Sequence, residues 1–297
     1  MLNQYPVKSK LKAYFDLVKF RLTSTVVATS IFGYLLGCKF NSTDGSLDGF
    51  NWLVFAGVFA GGLLIVFGSN GLNQLLEKTQ DSQMSRTQSR PIVEGRLSES
   101  QARVFSLLCG IAGMLVLLFT TPLLTTILGG LSLLLYVFVY TPLKGVTPLA
   151  VMVGAIPGAL PPLIGYTAFT RTIDDAGVIL FLVQFFWQFP HFWAIAWLLH
   201  DDYQKAGYWL LPSKGGCDKY SAFQILIYTI ILVATSTMPV VYGMCEVWVL
   251  TGVLTAGILF LFYAVKLHKT LETSNARKLL FVSFLYTPVV FLSYILI

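Results

Sequence analysis

Nine stretches of the sequence carry almost no charge, and each is long enough to cross a lipid bilayer as a helix. A spanning helix needs about 20 mostly apolar residues, and these runs are continuously apolar rather than alternating, which favours helices over a β-barrel. With 56% hydrophobic and 11% charged residues, the chain has the composition of a membrane protein. We predict an all-α polytopic membrane protein whose residues 1–297 form a single domain. The predicted spans are residues 22–40, 52–72, 104–120, 122–140, 148–166, 176–199, 221–242, 247–265 and 279–297.

The distribution of lysine and arginine predicts the orientation of these spans. In a nine-helix arrangement, only Lys39 and Arg171 of the 20 basic residues fall on the side opposite the N-terminus. Basic residues concentrate in cytoplasmic loops, so we expect the N-terminus in the cytoplasm and the C-terminus outside, in a bacterial inner membrane. No cleavable signal peptide is apparent before the first span. The net charge of +6 follows from this topology, and because the basic residues form no continuous stripe we expect no nucleic-acid partner.

A polar segment, "NQLLEKTQDSQMSRTQSRP" at residues 73–91, directly continues the second apolar run. Its Asn73, Glu77 and Asp81 are four residues apart, so on a helix they stack on one face. Two carboxylates stacked in this way repel each other unless a cation lies between them. Mg²⁺ suits the position because it binds carboxylates and completes its shell with water and phosphate oxygens. Arg86 and Arg90 add guanidinium groups suited to phosphate; the alternative is a solvated helix with internal ion pairs.

A second acidic segment, "WQFPHFWAIAWLLHDDYQKAG" at residues 187–207, ends the sixth apolar run. On a continuous helix His191 and Asp202 share one face, with His191 about 16 Å deeper in the membrane. Ionisable residues inside a membrane usually face the bundle interior or a cavity. His191 is therefore a candidate functional residue, the alternative being a histidine satisfied by a neighbouring helix. The two acidic segments together predict helices bundled around a polar chamber that opens near the cytoplasmic side.

A third segment, "YTPLKGVTPLAVMVGAIPGALPPLIGY" at residues 140–166, joins the fourth and fifth runs. Lys144 is the single basic residue of the short connection and is a candidate anion ligand. Pro157, Pro161 and Pro162 interrupt the following run, and prolines in a spanning helix leave backbone groups that need other partners. A packing kink without chemistry is the alternative for these prolines.

Three of these segments together resemble the motifs of the UbiA-type intramembrane prenyltransferase superfamily. The Asn73, Glu77 and Asp81 spacing resembles its N-x-x-x-D/E-x-x-x-D motif. The M-x-R-T-x-x-R-P continuation, "YTPLK", "GAIPGALPPLIGY" and the P-H-F element resemble the branch of the superfamily that farnesylates haem. The motifs agree in order and spacing over residues 70–212. Glu77 departs from the aspartate that is commoner in the superfamily, and its longer arm still reaches a metal.

The resemblance implies a role for each matching residue. Magnesium would be held by the carboxylates Glu77, Asp81 and Asp202, with Asn73 in the same motif. The diphosphate would be bound by Arg86, Arg90 and Lys144, and the haem would lie near His191.

The activity implied by the resemblance is transfer of a farnesyl group, with addition of water, from farnesyl diphosphate to a vinyl group of haem B. The products would be haem O and diphosphate, the cofactor Mg²⁺ and the setting the lipid bilayer. A haem-modifying enzyme or an assembling terminal oxidase would be the partner downstream. Three alternatives stay open: a quinone or chlorophyll-type prenyltransferase, a secondary transporter, and a non-catalytic haem-binding assembly factor.

Overall fold

A computed structural model describes residues 7–42, 47 and 49–296 of the chain. The expectations that concern residues 1–6 and Ile297 lie outside this part. Within the described residues all regular secondary structure is helical, and no strand is present. The prediction of an all-α fold is confirmed.

Nine helices in the described part of the chain are long and apolar enough to cross a membrane, as predicted. The molecule is thus a multi-pass integral membrane protein. The spanning helices are α2 (Phe20–Phe40), α3 (Trp52–Leu76), α5 (Glu99–Thr120), the composite span Leu123–Leu143, α8 (Ala150–Thr170), α9 (Asp175–Leu198), α11 (Lys219–Val241), α12 (Val249–Thr270) and α13 (Thr273–Ile295). Three short helices, α1 (Val7–Val18), α4 (Lys78–Asp81) and α10 (His200–Lys205), precede or extend these spans.

Several spans begin where a polar side chain caps the first turn. The carboxylate of Asp174 accepts a hydrogen bond from the Gly177 amide at the start of α9, and Asp218 does the same for Ser221 at the start of α11. Ser98 and Gln101 form a reciprocal capping box at the start of α5. Such caps satisfy amides that have no partner within the helix, so they explain where long apolar runs begin as helices.

The composite span contains a π-helical turn. It consists of α6 (Leu123–Leu134), the π-turn at Leu135–Tyr140 and α7 (Thr141–Leu143). The Thr141 amide bonds the carbonyl of Tyr136, five residues earlier, and its hydroxyl donates to the same carbonyl at 2.8 Å. A π-turn is a rare single-turn insertion that often lies at functional sites.

The proline-rich helix α8 is the most enclosed span and packs against α2, α6 and α9. Pro161 has no amide for the Pro157 carbonyl, and the Ser132 hydroxyl donates to that carbonyl instead at 3.1 Å. Gly33 and Gly165 lie where α2 and α8 approach so closely that a side chain on either would meet the backbone of the facing helix. A neighbouring helix thus supplies the hydrogen bond that the proline removes from α8, as the sequence predicts.

Consecutive spans run in opposite directions, so the ends of α3, α7 and α9 meet at one end of the bundle. We call this the basic end, because it holds the Lys- and Arg-rich connections. Helix α13 packs on both α9 and α2, which closes the arrangement of spans.

Candidate active site

The first acidic motif lies at the junction between α3 and α4. The α-helical hydrogen bonds continue through the junction, since the Glu77 amide bonds Asn73 at 3.0 Å and the Asp81 amide bonds Glu77 at 2.8 Å. The three side chains therefore stack as the spacing predicts, and all three are buried. The Asn73 amide group donates to the Thr141 hydroxyl at 3.0 Å, which attaches this stack to the end of the π-turn span.

Glu77 forms a buried ion pair with Lys144, the basic residue of the third segment. The Tyr208 hydroxyl donates to the same carboxylate at 3.2 Å. Burial alone would raise the pKa of Glu77, but the charge and hydrogen bond of Lys144, with the charges of Lys19 and Arg90, together outweigh it and the pKa is lowered. The Lys144 ammonium also lies 4.9 Å from the centre of the Tyr140 ring, within range of a cation–π contact. Sequence motifs far apart in the chain thus meet here.

Asp81 is fully buried and forms an ion pair with Arg90. Its second oxygen, Oδ1, is buried without a hydrogen-bond partner among the described residues. Burial raises the pKa of Asp81, and the attraction of Arg90 does not fully reverse that rise. An oxygen left without a partner in a buried site is costly, so Oδ1 of Asp81 has an acceptor position open to a further cationic group.

Asp202 lies on α10 and holds the loop that follows the first motif. Its Oδ1 accepts from the amide and the hydroxyl of Ser85 at 3.1 and 2.8 Å, and its Oδ2 accepts from the Arg86 amide at 3.2 Å. Burial would raise the pKa of Asp202, but these hydrogen bonds, with a further one from Lys205, lower it to about 2. The two acidic segments are therefore joined, through backbone amides of the loop.

The expected three-carboxylate metal site does not form in this arrangement. Within the part of the chain that the structure describes, no three His, Cys, Asp or Glu side chains are grouped as metal ligands. Glu77 and Asp81, with Asn73 on the same face, form a donor set of the oxygen type that Mg²⁺ prefers, and the unpartnered Oδ1 of Asp81 fits such an ion. Asp202 is not grouped with this pair, and its carboxylate accepts hydrogen bonds from Ser85 and Arg86.

The loop arginines take different places. Arg90 lies against Asp81, whereas the Arg86 guanidinium is at the surface, 3.4 Å from the Tyr203 hydroxyl and 5.8 Å from the centre of its ring. Of the predicted cations, Lys144 and Arg90 are at the acidic pair, and Arg86 is at the rim.

Lys19 is a further cation near the acidic pair that sequence reasoning did not single out. It lies between α1 and α2 in the left-handed backbone region, with φ 49° and ψ 55°. Burial, together with the positive charge of Arg90, lowers the pKa of Lys19 to about 7, although the charge of Glu77 acts in the opposite direction. Lys19 and Arg90 both line a groove of about 1100 Å³ beside α1. A lone lysine before an apolar run gives no motif by which it could have been found.

His191 is buried between α9 and α13, away from the carboxylates. Its Nδ1 lies 2.7 Å from the Ser283 hydroxyl, and the Trp187 indole stacks on its ring at 4.4 Å. Helix α9 ends at Leu198 and α10 begins at His200, so His191 and Asp202 belong to different helices. Ser283, like Lys19, carries no sequence signal.

Residues 45–286 match the UbiA prenyltransferase family. The chain is 43% identical to the protoheme IX farnesyltransferase of Cytophaga hutchinsonii, over 97% of this chain and 98% of that protein. It is 40% identical to the protein of the same name from Flavobacterium johnsoniae, over 96% and 93% of the two chains.

Solved structures share the fold at lower identity. Digeranylgeranylglyceryl phosphate synthase superposes with a TM-score of 0.78 at 22% identity, covering 97% of this chain and 98% of that one. A UbiA homolog from Archaeoglobus fulgidus, solved with GPP and Mg²⁺ bound, gives a TM-score of 0.66 at 14% identity, covering 96% and 100%. At these identities the likeness is one of fold.

Proposed function

Since the chain belongs to the UbiA prenyltransferase family, we propose that it transfers the farnesyl group of farnesyl diphosphate to a vinyl group of haem B. The observation that carries the proposal is the buried pair of carboxylates, Glu77 and Asp81, each matched by a cation at the basic end. The choice of haem as acceptor is supported by the name that the relatives carry, protoheme IX farnesyltransferase. A transporter has no need of such a diphosphate site.

The acidic pair and its cations would bind the diphosphate. Glu77 and Asp81 would hold Mg²⁺, which neutralises diphosphate charge and so eases departure of the leaving group. Lys144 and Arg90 would then turn from the carboxylates to phosphate oxygens. Arg86, kept near by the Asp202 clamp on its amide, would approach from the rim. The stabilisation of a developing charge by preplaced groups is the main source of rate enhancement at such sites.

The chemical step proposed here joins farnesyl to haem and adds water. The allylic C–O bond breaks with its electron pair going to the diphosphate, and the vinyl π electrons form the new C–C bond. Water captures the resulting cation and loses a proton, which gives a hydroxyethylfarnesyl side chain. The Tyr140 ring now has Lys144 beside it; once Lys144 turns to the phosphate, the ring would stabilise an allylic cation by about 0.5–2 kcal/mol. Burial keeps other water from quenching that cation early.

The acceptor and the setting belong to the same proposal. Haem B would lie near His191 inside the bundle, and Lys144 and Arg90 could pair with its propionates as well as with diphosphate. The product would be haem O, used as such or passed to a haem-modifying enzyme for a terminal oxidase. The basic end would face the cytoplasm of a bacterium, since basic loops are retained there.

The test is turnover by the purified protein in detergent with haem B, farnesyl diphosphate and Mg²⁺, followed by mass-resolved chromatography of the pigments. We expect a haem heavier by farnesyl plus water, absent when EDTA removes the metal. Asp81→Asn should reduce turnover by a factor on the order of 10² to 10³. Glu99→Gln is the matched control, because Glu99 makes only an exposed pair with Lys78.

Three results would change the proposal. Prenylation of a quinone with no haem product would keep the prenyltransferase and remove the haem acceptor. Haem binding without any consumption of farnesyl diphosphate would indicate a haem carrier. Equal turnover by Asp81→Asn and Glu99→Gln would remove Asp81 from the site.

A further inference from the structure

The hydrogen bonds of Ser283 determine which nitrogen of His191 carries the proton. The Ser283 hydroxyl lies 2.6 Å from the main-chain carbonyl of Leu280 and 2.7 Å from Nδ1 of His191. A carbonyl oxygen only accepts hydrogen bonds, so the single hydroxyl proton must point at Leu280. Ser283 can therefore only accept from His191, which requires a proton on Nδ1. The neutral ring then carries its lone pair on Nε2.

Ser283 also fixes the plane of the ring. Its main-chain carbonyl accepts the indole N–H of Trp187 at 2.8 Å. That indole stacks on the His191 ring, with 4.4 Å between ring centres and 19° between the planes. One residue of α13 thus holds two residues of α9, one turn apart, by its side chain and by its main chain. The imidazole has little freedom to turn.

The remaining nitrogen, Nε2, is free to bind a ligand. It has no hydrogen-bond partner among the described residues, and it is not one of the buried polar atoms sealed from the exterior, as Nδ1 of His268 is. The His191 ring also contacts Phe284 of α13, with 4.9 Å between ring centres and 82° between the planes. Aromatic side chains of α9 and α13, Trp187, Phe192 and Phe284, thus lie around the imidazole, and such surroundings suit the apolar faces of a porphyrin.

We infer that Ser283 is a positioning residue, which holds His191 so that Nε2 binds the iron of the acceptor haem. The inference rests on the proposed function, since it takes haem as the acceptor. Histidines that bind metals almost always donate the other ring N–H to an oxygen acceptor, which fixes tautomer and orientation. Histidine is also a common axial ligand of haem iron. Fixing the iron limits the vinyl groups to positions around the Fe–Nε2 axis.

The inference is tested by haem binding without turnover. Haem B is titrated into the purified protein in detergent, without farnesyl diphosphate, and the Soret band and the electron paramagnetic resonance spectrum are recorded. We expect a histidine-ligated spectrum that is lost in His191→Ala and restored by added imidazole. Ser283→Ala should weaken haem binding by about 10- to 100-fold, and Ser283→Thr, which keeps the hydroxyl, should restore it.

The matched control is Ser293→Ala. Ser293 lies on the same helix and also donates its hydroxyl to a main-chain carbonyl, that of Val289 at 2.8 Å, but it does not contact His191. The Ser293→Ala variant should bind haem as the wild type does. If Ser283→Ala does not fold, Ser283→Cys, a nearly isosteric variant with a weaker acceptor, should give an intermediate loss of affinity.

The outcomes separate this inference from the proposed function. An unchanged spectrum in folded His191→Ala would overturn the iron contact, even if the wild type makes farnesylated haem. Wild-type affinity in folded Ser283→Ala or Ser283→Cys would overturn the positioning role. A histidine-ligated spectrum that is lost in His191→Ala would uphold the iron contact, even if no haem product ever forms.

Discussion

Lys19 occupies a backbone conformation that a residue with a side chain adopts at a cost. The left-handed region costs a non-glycine residue roughly 1–2 kcal/mol, and such positions persist where surrounding structure fixes them, often at functional sites. Lys19 is in that region and is electrostatically coupled to Glu77, Asp81, Arg90 and Lys144. We interpret it as a further cation for the diphosphate.

The lowered pKa of Lys19 predicts a pH dependence of anion binding. With a pKa of about 7, Lys19 is charged at pH 6 and mostly neutral at pH 8. Bound diphosphate favours the charged form, so affinity for inorganic pyrophosphate should be higher at pH 6, with Lys19 contributing up to about tenfold. Calorimetric titration at the two pH values measures this contribution.

Two substitutions separate the effect of Lys19 protonation on binding from the effect of pyrophosphate ionisation. Lys19→Met is never charged and Lys19→Arg always is, so both should lack the contribution from Lys19 and share a smaller pH effect. The same pH effect in all three proteins would show that protonation of Lys19 does not contribute to pyrophosphate binding.

At the scale of helices, the close contact between α2 and α8 predicts which glycines tolerate replacement by alanine. A Cβ on Gly165 would overlap the backbone carbonyl of Ser30 on α2, and backbone cannot move aside as a side chain can. Gly165→Ala should therefore separate the two helices and cost about 1–3 kcal/mol of stability, as overpacking does. Thermal unfolding in detergent, followed by circular dichroism, measures the loss.

Gly62→Ala on α3 is the matched control for the same chemical change. The nearest atom to its Cβ would be a Val27 side-chain carbon at 3.5 Å, an ordinary contact. Alanine favours a helix over glycine by about 1 kcal/mol, so this variant should be as stable as the wild type or more so. Equal stability of the two variants would mean that α2 and α8 do not pack as described.

The helices were predictable from the sequence because length and hydropathy alone decide what can span a bilayer. The stack of Asn73, Glu77 and Asp81 was also predictable, because helical spacing is local. The partner of each carboxylate was less predictable, since Lys144 meets Glu77 only through the packing of α7 against α3. The place of Asp202 could not be foreseen, because its main partners include backbone amides of Ser85 and Arg86, which leave no trace in a sequence.

The whole molecule concentrates its charge at one end, and this predicts its orientation in the membrane. With nine spans in the part of the chain that the structure describes, we expect the two termini on opposite sides, and the basic end carries helix α1. Alkaline phosphatase, which is active only outside the cytoplasm, should be active when fused after Leu296 and inactive when fused after Gly207. A fluorescent protein at the same positions should give the reverse pattern. Activity of both phosphatase fusions, or of neither, would contradict the three spans between Gly207 and Leu296.

The π-turn at Leu135–Tyr140 decides where its span can lose a codon. The turn holds about one residue more than an α-helix of equal rise, so loss of one codon within it would let it close as an α-helix while the residues on its two sides keep their directions. Successive residues of an α-helix differ by about 100° in direction, so loss of one codon from α6 would rotate the two sides relative to each other. Either Lys144 would turn away from Glu77, or lipid-facing residues of α6 would turn inward. Single-codon deletions should therefore be tolerated in the π-turn and selected against in α6.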